Sequence, residues 1–273
     1  MNKINFTKMV ASGNDFIVSE LVNRQVGELA RLAQKICDRK YGVGADGLLV
    51  LAKSKIANVK MRIFNPDGSE AEMCGNGARC VALFKKSQLR THDSGLTIET
   101  KAGIVESCVN GNNLKIKLTD PKGLKLDIPI KVNKRTLHVD FINTGVPHTV
   151  IFVEGLDKID VLVLGCRVRY HKRFAPAGTN VDFVEVLSNN SVKIRTYERG
   201  VEDETLACGT GAVAAALITS RKSVIPSPNS QKINVLTKSG ETLKVYFDKL
   251  DNRFNNIWLE AEANIVYKGE YYV

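Results

Sequence analysis

The residues best suited to chemistry are two cysteines in matched surroundings, Cys74-Gly75-Asn76-Gly77-Ala78 and Cys208-Gly209-Thr210-Gly211-Ala212, offset by 134 residues. Each is followed by an alanine- and leucine-rich run (78–83 and 212–217), a composition that favours helix in an almost wholly buried setting. The first turn of a helix carries unpaired N–H groups and a partial positive charge, so a cysteine there is expected to be stabilised as thiolate, with a lowered pKa. The same N–H groups bind carboxylate, and glycines after the cysteine let backbone approach a ligand closely. Two such sites converging on one carboxylate put a thiol on each face of its α-carbon. An amino-acid α-proton is very weakly acidic, so helix N–H groups must stabilise the charge that develops as it leaves. A thiolate takes that proton, a neutral thiol delivers another from the opposite face, and the roles exchange in reverse. The pattern implies inversion of an amino-acid centre without a cofactor. A disulfide between Cys74 and Cys208 would inactivate such a site.

The elements that position these cysteines recur in the two halves of the chain. Ser12-Gly13 before Asn14-Asp15-Phe16 is matched by Thr144-Gly145 before Val146-Pro147-His148, at an offset of 132. Gly42-Val43-Gly44-Ala45-Asp46 reads against Gly178-Thr179-Asn180-Val181-Asp182 at 136, and residues 59–64 against 192–197 at 133. The last pair alternates apolar and polar side chains, the period of a half-buried strand. Glu70 and Glu204 also align. Each half therefore runs strand, loop, Cys-Gly-x-Gly, buried helix. Residues 26–38 have helical spacing, while 95–106, 113–118 and 233–247 read as strands and hairpins. The expected fold class is α+β: two pseudo-symmetric domains, each a mostly antiparallel β-sheet around a central α-helix. Turn residues at Asp120-Pro121-Lys122-Gly123 mark the junction. This gives residues 1–120 with Cys74, joined by a C-terminal strand at 263–273, and 121–262 with Cys208.

Bulk composition narrows the alternatives. The 273 residues are 44% hydrophobic and 25% charged, ordinary for a two-domain globular chain. Neither a signal-peptide core nor an apolar run of membrane-spanning length is visible, so a soluble, cytoplasmic protein is expected. Six cysteines without zinc-ligand spacing imply reduced thiols and no metal site. Cys37, Cys80, Cys108 and Cys166 read as small buried apolar residues. The net charge of +10 comes from scattered lysines and arginines that match no nucleic-acid-binding motif. Gly209-Thr210-Gly211-Ala212-Val213-Ala214 resembles a dinucleotide fingerprint, but the acidic stretch before it is no buried parallel strand. No phosphate loop with a partner lysine suggests pyridoxal phosphate.

Taken together, the motifs resemble those of the diaminopimelate epimerases over essentially the whole chain. The likeness is carried by Ser12-Gly13-Asn14-Asp15-Phe16, Phe64-Asn65-Pro66-Asp67-Gly68-Ser69-Glu70, Cys74-Gly75-Asn76-Gly77-Ala78-Arg79 and Asn143-Thr144-Gly145-Val146-Pro147-His148. It continues through Gly178-Thr179-Asn180-Val181-Asp182-Phe183, Tyr197-Glu198-Arg199-Gly200 and Glu204-Thr205-Leu206-Ala207-Cys208-Gly209-Thr210-Gly211. The resemblance implies conversion of L,L-diaminopimelate to the meso isomer, for lysine and cell-wall precursors, by a homodimer needing neither metal nor cofactor. It puts the catalytic pair on Cys208, which takes the proton in the forward direction, and Cys74, which gives one, with His148 and Glu198 assisting. Asn14, Asn65, Asn180, Glu198 and Arg199 match positions that grip the distal amino-acid centre. Gly75, Asn76, Gly209 and Thr210 match those that hold the reacting carboxylate through backbone donors. Gly47 stands where some members have a glutamine and Val146 where some have an asparagine, so both side-chain contacts are absent. A proline or hydroxyproline racemase, lacking a distal centre to grip, and a binding protein that lost the chemistry are the alternatives.

Overall fold

The computed structural model describes residues 3–21, 24–88, 95–222, 230–250 and 253–273. In chain order the elements are β1 (Lys3–Ala11), β2 (Asn14–Glu20), α1 (Val26–Ile36), β3 (Gly47–Ala52), β4 (Val59–Phe64), β5 (Glu70–Ala71), α2 (Gly75–Gln88), β6 (Gly95–Thr100), β7 (Gly103–Asn110) and β8 (Asn113–Lys117). There follow β9 (Lys122–Val132), β10 (Arg135–Asn143), β11 (Pro147–Phe152), α3 (Val161–Arg169), β12 (Asn180–Ser188), β13 (Ser191–Glu198), β14 (Asp203–Thr205) and α4 (Gly209–Lys222). The chain closes with β15 (Ser230–Leu236), β16 (Thr242–Leu250), β17 (Arg253–Glu262) and β18 (Asn264–Tyr272). Strand dominates. The chain divides into two compact units, one of residues 1–117 and 261–273, the other of residues 118–260.

In the first unit β1 is hydrogen-bonded on one side to the C-terminal strand β18 and on the other to β2, both antiparallel. The sheet continues through a parallel β2–β3 pair, antiparallel β3–β4, parallel β4–β6, and the antiparallel β6–β7 and β7–β8 pairs. The second unit repeats this plan. Strand β10 lies between β9 and β11, β11 pairs in parallel with β12, and β12, β13, β15, β16 and β17 follow with the same orientations. Each parallel pair is joined through a helix, as parallel strands require: α1 between β2 and β3 and α2 between β4 and β6 in the first unit, α3 between β11 and β12 and α4 between β13 and β15 in the second. Helix α1 buries Leu29, Leu32, Ala33 and Ile36, the i, i+3, i+4, i+7 stripe of a helix with one face on a core. Its first turn is closed by a capping box between Gln25 and Glu28. Asp160 caps α3 by accepting the Val163 N–H at 3.0 Å.

The helices that follow the two cysteines have no solvent stripe over most of their length. Residues 76–82 of α2 and 211–220 of α4 are buried, which accounts for the mostly small and apolar side chains on every face, with Arg79 the large polar exception. Helix α2 packs on β1, β2, β4, β6, β7, β8 and β18, and α4 on β10, β11, β12, β13, β15 and β16.

The strand pairing fixes the internal register, and it corrects one sequence expectation. Phe16 pairs with Gly47 as His148 pairs with Asn180, and Leu48 pairs with Phe64 as Val181 pairs with Tyr197. Strands β3 and β12 are therefore related by an offset of 133, and the structural partner of Asp182 is Leu49, not Asp46 as the glycine pattern suggested. Helix contacts agree. A Cβ built on Gly77 would meet Leu49 Cδ2 at 3.1 Å, and one on Gly211 would meet Asp182 Oδ1 at 2.5 Å. The glycine-rich loops ahead of these strands differ in length, and hydrogen bonding between strands sets the register.

The segments entering the two helices are clamped alike. Glu70 receives a bidentate pair from Arg62 and a third contact from Lys101; Glu204 receives the same from Arg195 and Lys238. The arginine in each case comes from the strand antiparallel to the glutamate's own. A planar guanidinium fork suits a carboxylate held this way.

Candidate active site

Cys74 and Cys208 immediately precede α2 and α4, both half-buried. None of the six cysteines is joined in a disulfide. The Gly77 N–H donates to Cys74 Sγ at 3.4 Å, so one amide of the first turn is turned toward that sulfur. The Cys208 thiol lies 3.4 Å from the Thr210 hydroxyl.

Helix-start stabilisation does not win at Cys208. Burial pushes its thiol well above the ordinary value, and the negative charges of Glu198 and Asp182 push further, outweighing the hydrogen bonds that Thr210 and the Gly211 N–H would give the thiolate. The expected lowering of this pKa is therefore corrected: one turn of helix dipole is a small effect beside desolvation of a thiolate among two carboxylates. Cys208 rests as a neutral thiol. Burial likewise raises Cys37, to about 12, and Cys80, consistent with inert core residues. Cys37 and Cys80 are buried, whereas Cys108 and Cys166 are only partly so.

In the first unit, the expected binding residues gather at the start of α2. Asn14, at the β1–β2 turn, donates to Asp46 at 3.2 Å and accepts from the Asn76 amide at 2.5 Å. Arg79, wholly buried, reaches back to Ser12 Oγ at 2.7 Å and Asn76 Oδ1 at 2.5 Å, tying the helix start to that turn. Asn65 is engaged locally, its amide on Ser69 Oγ at 2.9 Å in the turn after β4. At Gly47 a Cβ would stand 3.2 Å from the Phe64 carbonyl oxygen, a tight approach to backbone, and 3.5 Å from the Phe16 ring, an ordinary contact.

In the second unit, His148 sits inside the sheet on β11. Its Nδ1 lies 2.7 Å from Asp182 Oδ2 and its Nε2 2.9 Å from Thr210 Oγ1. Thr196 donates to the other Asp182 oxygen at 2.8 Å, and Thr144 holds the Thr210 carbonyl at 2.9 Å. Glu198, at the end of β13, has its pKa raised by burial, with the Thr205 hydrogen bond and the nearby His148 opposing. Asn180 bridges the Pro147 carbonyl at 3.0 Å and the Arg199 N–H at 2.8 Å, and the Arg199 guanidinium rests on the Ala177 carbonyl at 3.2 Å. Gly209 and Thr210 open α4 beside the thiol. The second unit offers a thiol, backbone donors and a buried histidine–carboxylate pair, equipment for moving a proton next to a bound carboxylate. Among the described residues no group of histidine, cysteine and acidic side chains is arranged to hold a metal ion, and no helix is long and apolar enough to cross a membrane.

The family model described as diaminopimelate epimerase matches residues 6–122 and 141–253. The chain belongs to the diaminopimelate epimerase family. A diaminopimelate epimerase of Aquifex aeolicus is 39% identical, with 97% of this chain and 96% of that protein covered. One of Archaeoglobus fulgidus is 42% identical over 87% and 88%. Among solved structures, the PhzF-family phenazine biosynthesis protein of Bacillus anthracis superposes over the full length of both chains, with a TM-score of 0.77 at 21% identity. A hydroxyproline epimerase of Agrobacterium vitis, with trans-4-hydroxy-L-proline bound, gives 0.71 at 15% identity over 99% and 91% of the two chains. These structural likenesses establish the fold: a two-domain, sheet-dominated architecture with few helices.

Sequence reasoning missed Asp46 as a partner of Asn14 in the first unit and, in the second, Asp182 as the partner of His148, Thr196 as the partner of Asp182 and Thr144 as a brace on Thr210. Asp182 carried a signal: it interrupts the apolar run Val181, Phe183, Val184, and an acid inside such a run is buried with a partner or not there at all.

Proposed function

We propose that this protein epimerises L,L-diaminopimelate to meso-diaminopimelate without a cofactor, supplying a precursor of lysine and of cell-wall cross-links. The observation that carries the reading is the pair of Cys-Gly-x-Gly segments opening the buried helices of two pseudo-equivalent units in a chain of this family. In the forward direction Cys208, once deprotonated, takes the α-proton, and Cys74 delivers one to the opposite face of the α-carbon. Backbone donors of Gly75-Asn76 and Gly209-Thr210 hold the reacting carboxylate and stabilise its developing charge. His148 and Glu198 assist the thiols. Asn14, Asn65, Asn180, Glu198 and Arg199 grip the distal amino-acid centre, Glu198 on the ammonium and Arg199 on the carboxylate. The Arg199 guanidinium then exchanges the Ala177 carbonyl for the ligand.

Each sheet, in this reading, curls around its buried helix, and the enzyme works as a cytoplasmic homodimer. The distal grip distinguishes the substrate from proline, which has no second amino-acid centre.

Incubation of the purified, reduced protein with L,L-diaminopimelate in heavy water, without added cofactor, tests the proposal. Meso product carrying one solvent deuterium at the inverted centre is expected. Inversion of proline with no exchange into diaminopimelate would assign the chain to the racemases. Stable binding of diaminopimelate without exchange would make it a binding protein.

A further inference from the structure

The two units use the same architecture, yet they fill one internal position differently. Beneath the start of α2, the residues on β2, β3 and β4 are Phe16, Leu49 and Ile63, all buried hydrocarbon. At the equivalent places beneath α4 stand His148, Asp182 and Thr196, equally buried and all polar. The fold therefore does not require polar groups here. Sinking an imidazole and a carboxylate into a core is costly where hydrocarbon would serve, so an independent reason must retain them.

Their hydrogen bonds run in one direction. A carboxylate only accepts, so His148 Nδ1 carries the proton that faces Asp182 Oδ2 at 2.7 Å. In the neutral ring Nε2 is then an acceptor, and the Thr210 hydroxyl, 2.9 Å away, donates to it. The Thr210 oxygen in turn accepts from the Cys208 thiol at 3.4 Å. Thr196 occupies the second Asp182 oxygen, and Thr144 holds the Thr210 backbone, so Asp182 and Thr210 are braced from outside the chain of contacts. Gly211 lets Asp182 come close under the helix start.

We propose that Cys208, Thr210, His148 and Asp182 form a proton relay dedicated to one of the two thiols, in which the Thr210 hydroxyl is the connecting link and Asp182 fixes the histidine tautomer. The step balances within the relay. The Cys208 S–H bond breaks as its proton passes to Thr210 Oγ; the original Thr210 O–H bond breaks as that proton passes to His148 Nε2. Cys208 becomes thiolate, Thr210 is restored as a hydroxyl, and the imidazolium is held against Asp182. This explains how a thiol whose surroundings oppose ionisation reaches its reactive form. It also makes the two cysteines unequal, because Phe16 and Asn76, at the places of His148 and Thr210, take up no proton. The proposal deepens the epimerase reading and rests on it for the purpose of the relay, but its test does not need turnover.

The test is alkylation of the substrate-free protein by iodoacetamide at pH 8, followed at Cys208 and Cys74 separately by peptide mass spectrometry, in the parent protein, Thr210→Val and Thr210→Ser. Valine keeps the shape and the backbone donors and removes the link; serine keeps the link. Below its pKa a thiol loses tenfold in thiolate for each unit of pKa increase, so Thr210→Val is expected to slow Cys208 alkylation about tenfold, with Cys74 unchanged and Thr210→Ser near the parent rate. Epimerisation should fall in Thr210→Val and return in Thr210→Ser. Unchanged Cys208 alkylation in Thr210→Val, or a serine variant as slow as the valine one, would overturn the relay. Loss of diaminopimelate turnover in the parent protein would instead overturn the epimerase reading and leave the alkylation result to judge the relay by itself.

Discussion

His148 Nδ1 lies 2.7 Å from Asp182 Oδ2 with neither side chain exposed, and the structural counterparts of these two residues in the other unit are Phe16 and Leu49. One internal repeat has been built with hydrocarbon and the other with an ion-capable pair. Pseudo-symmetry of the backbone thus coexists with asymmetry of the chemistry, and the predictions below follow from that contrast and from the contacts that hold each helix start.

The close approach under α4 leaves no room for a methyl group. Gly211→Ala would set a Cβ 2.5 Å from Asp182 Oδ1, whereas Gly77→Ala meets the end of Leu49 at 3.1 Å, where a flexible side chain can give. Urea unfolding should show Gly211→Ala less stable by about 1–3 kcal/mol, and Gly77→Ala by clearly less. Equal losses would mean that the two helix starts are packed alike.

Glu198 is expected to act in two opposing ways. Its charge is among the causes that raise the Cys208 thiol, so Glu198→Gln should speed iodoacetamide alkylation of substrate-free Cys208, by about threefold for half a pKa unit. Turnover of diaminopimelate should fall in the same variant, because the ammonium of the distal centre loses its carboxylate partner. Slower alkylation would show that Glu198 favours ionisation of Cys208 already in the substrate-free protein, where its charge is expected to oppose it and any help to the thiols waits for the substrate ammonium.

Stability should decline on the acid side, and three partly buried, paired carboxylates contribute to that decline. Arg62, helped by Lys101, holds Glu70 below the usual range; at Glu204 burial opposes, but Arg195 and Lys238 prevail; at Asp15 burial is likewise outweighed by Arg39 and Lys8. A carboxyl whose pKa is lower in the folded state stabilises the fold above its unfolded pKa and loses that contribution as pH falls toward the folded one. Unfolding free energy should therefore be flat near neutrality and drop once pH passes below about 4.5, with a shallower drop in Arg62→Met and Arg195→Met. At pH 7, Arg195→Met should be less stable by about 2 kcal/mol, because Glu204 is nearly buried. An acid-side slope unchanged in both variants would remove these clamps from the account.

Much of this was legible in the chain because the chemistry repeats where it is most unusual. Two Cys-Gly-x-Gly-Ala segments followed by alanine-rich runs identify both helices and both thiols, and alternating residues at 59–64 and 192–197 identify strands β4 and β13. What stayed hidden has physical reasons. Phe16 and His148 fall opposite each other in the match at an offset of 132, but that match does not show that a phenyl ring in one unit is replaced by a hydrogen-bonded imidazole in the other. Asp46 and Asp182 are alike in chemistry and each comes shortly after a glycine, yet Asp46 lies just before β3 whereas Asp182 lies inside β12, and strand pairing makes Leu49 the counterpart of Asp182. Thr210 could be read as a backbone donor from its place at a helix start; that its hydroxyl connects Cys208 to His148 depends on a side-chain direction that spacing does not give. The pKa of Cys208 turned on how closely the sheet crowds the sulfur, a tertiary property.

The most direct test of the central claim is the behaviour of Cys74→Ala and Cys208→Ala, each assayed in heavy water against L,L- and meso-diaminopimelate with chiral separation of the products and circular dichroism to confirm folding. If the two thiols work as a base and an acid on opposite faces, each variant folds and inverts neither isomer, and any residual deuterium exchange proceeds with retention of configuration. Substantial inversion by either single variant would contradict the two-thiol mechanism.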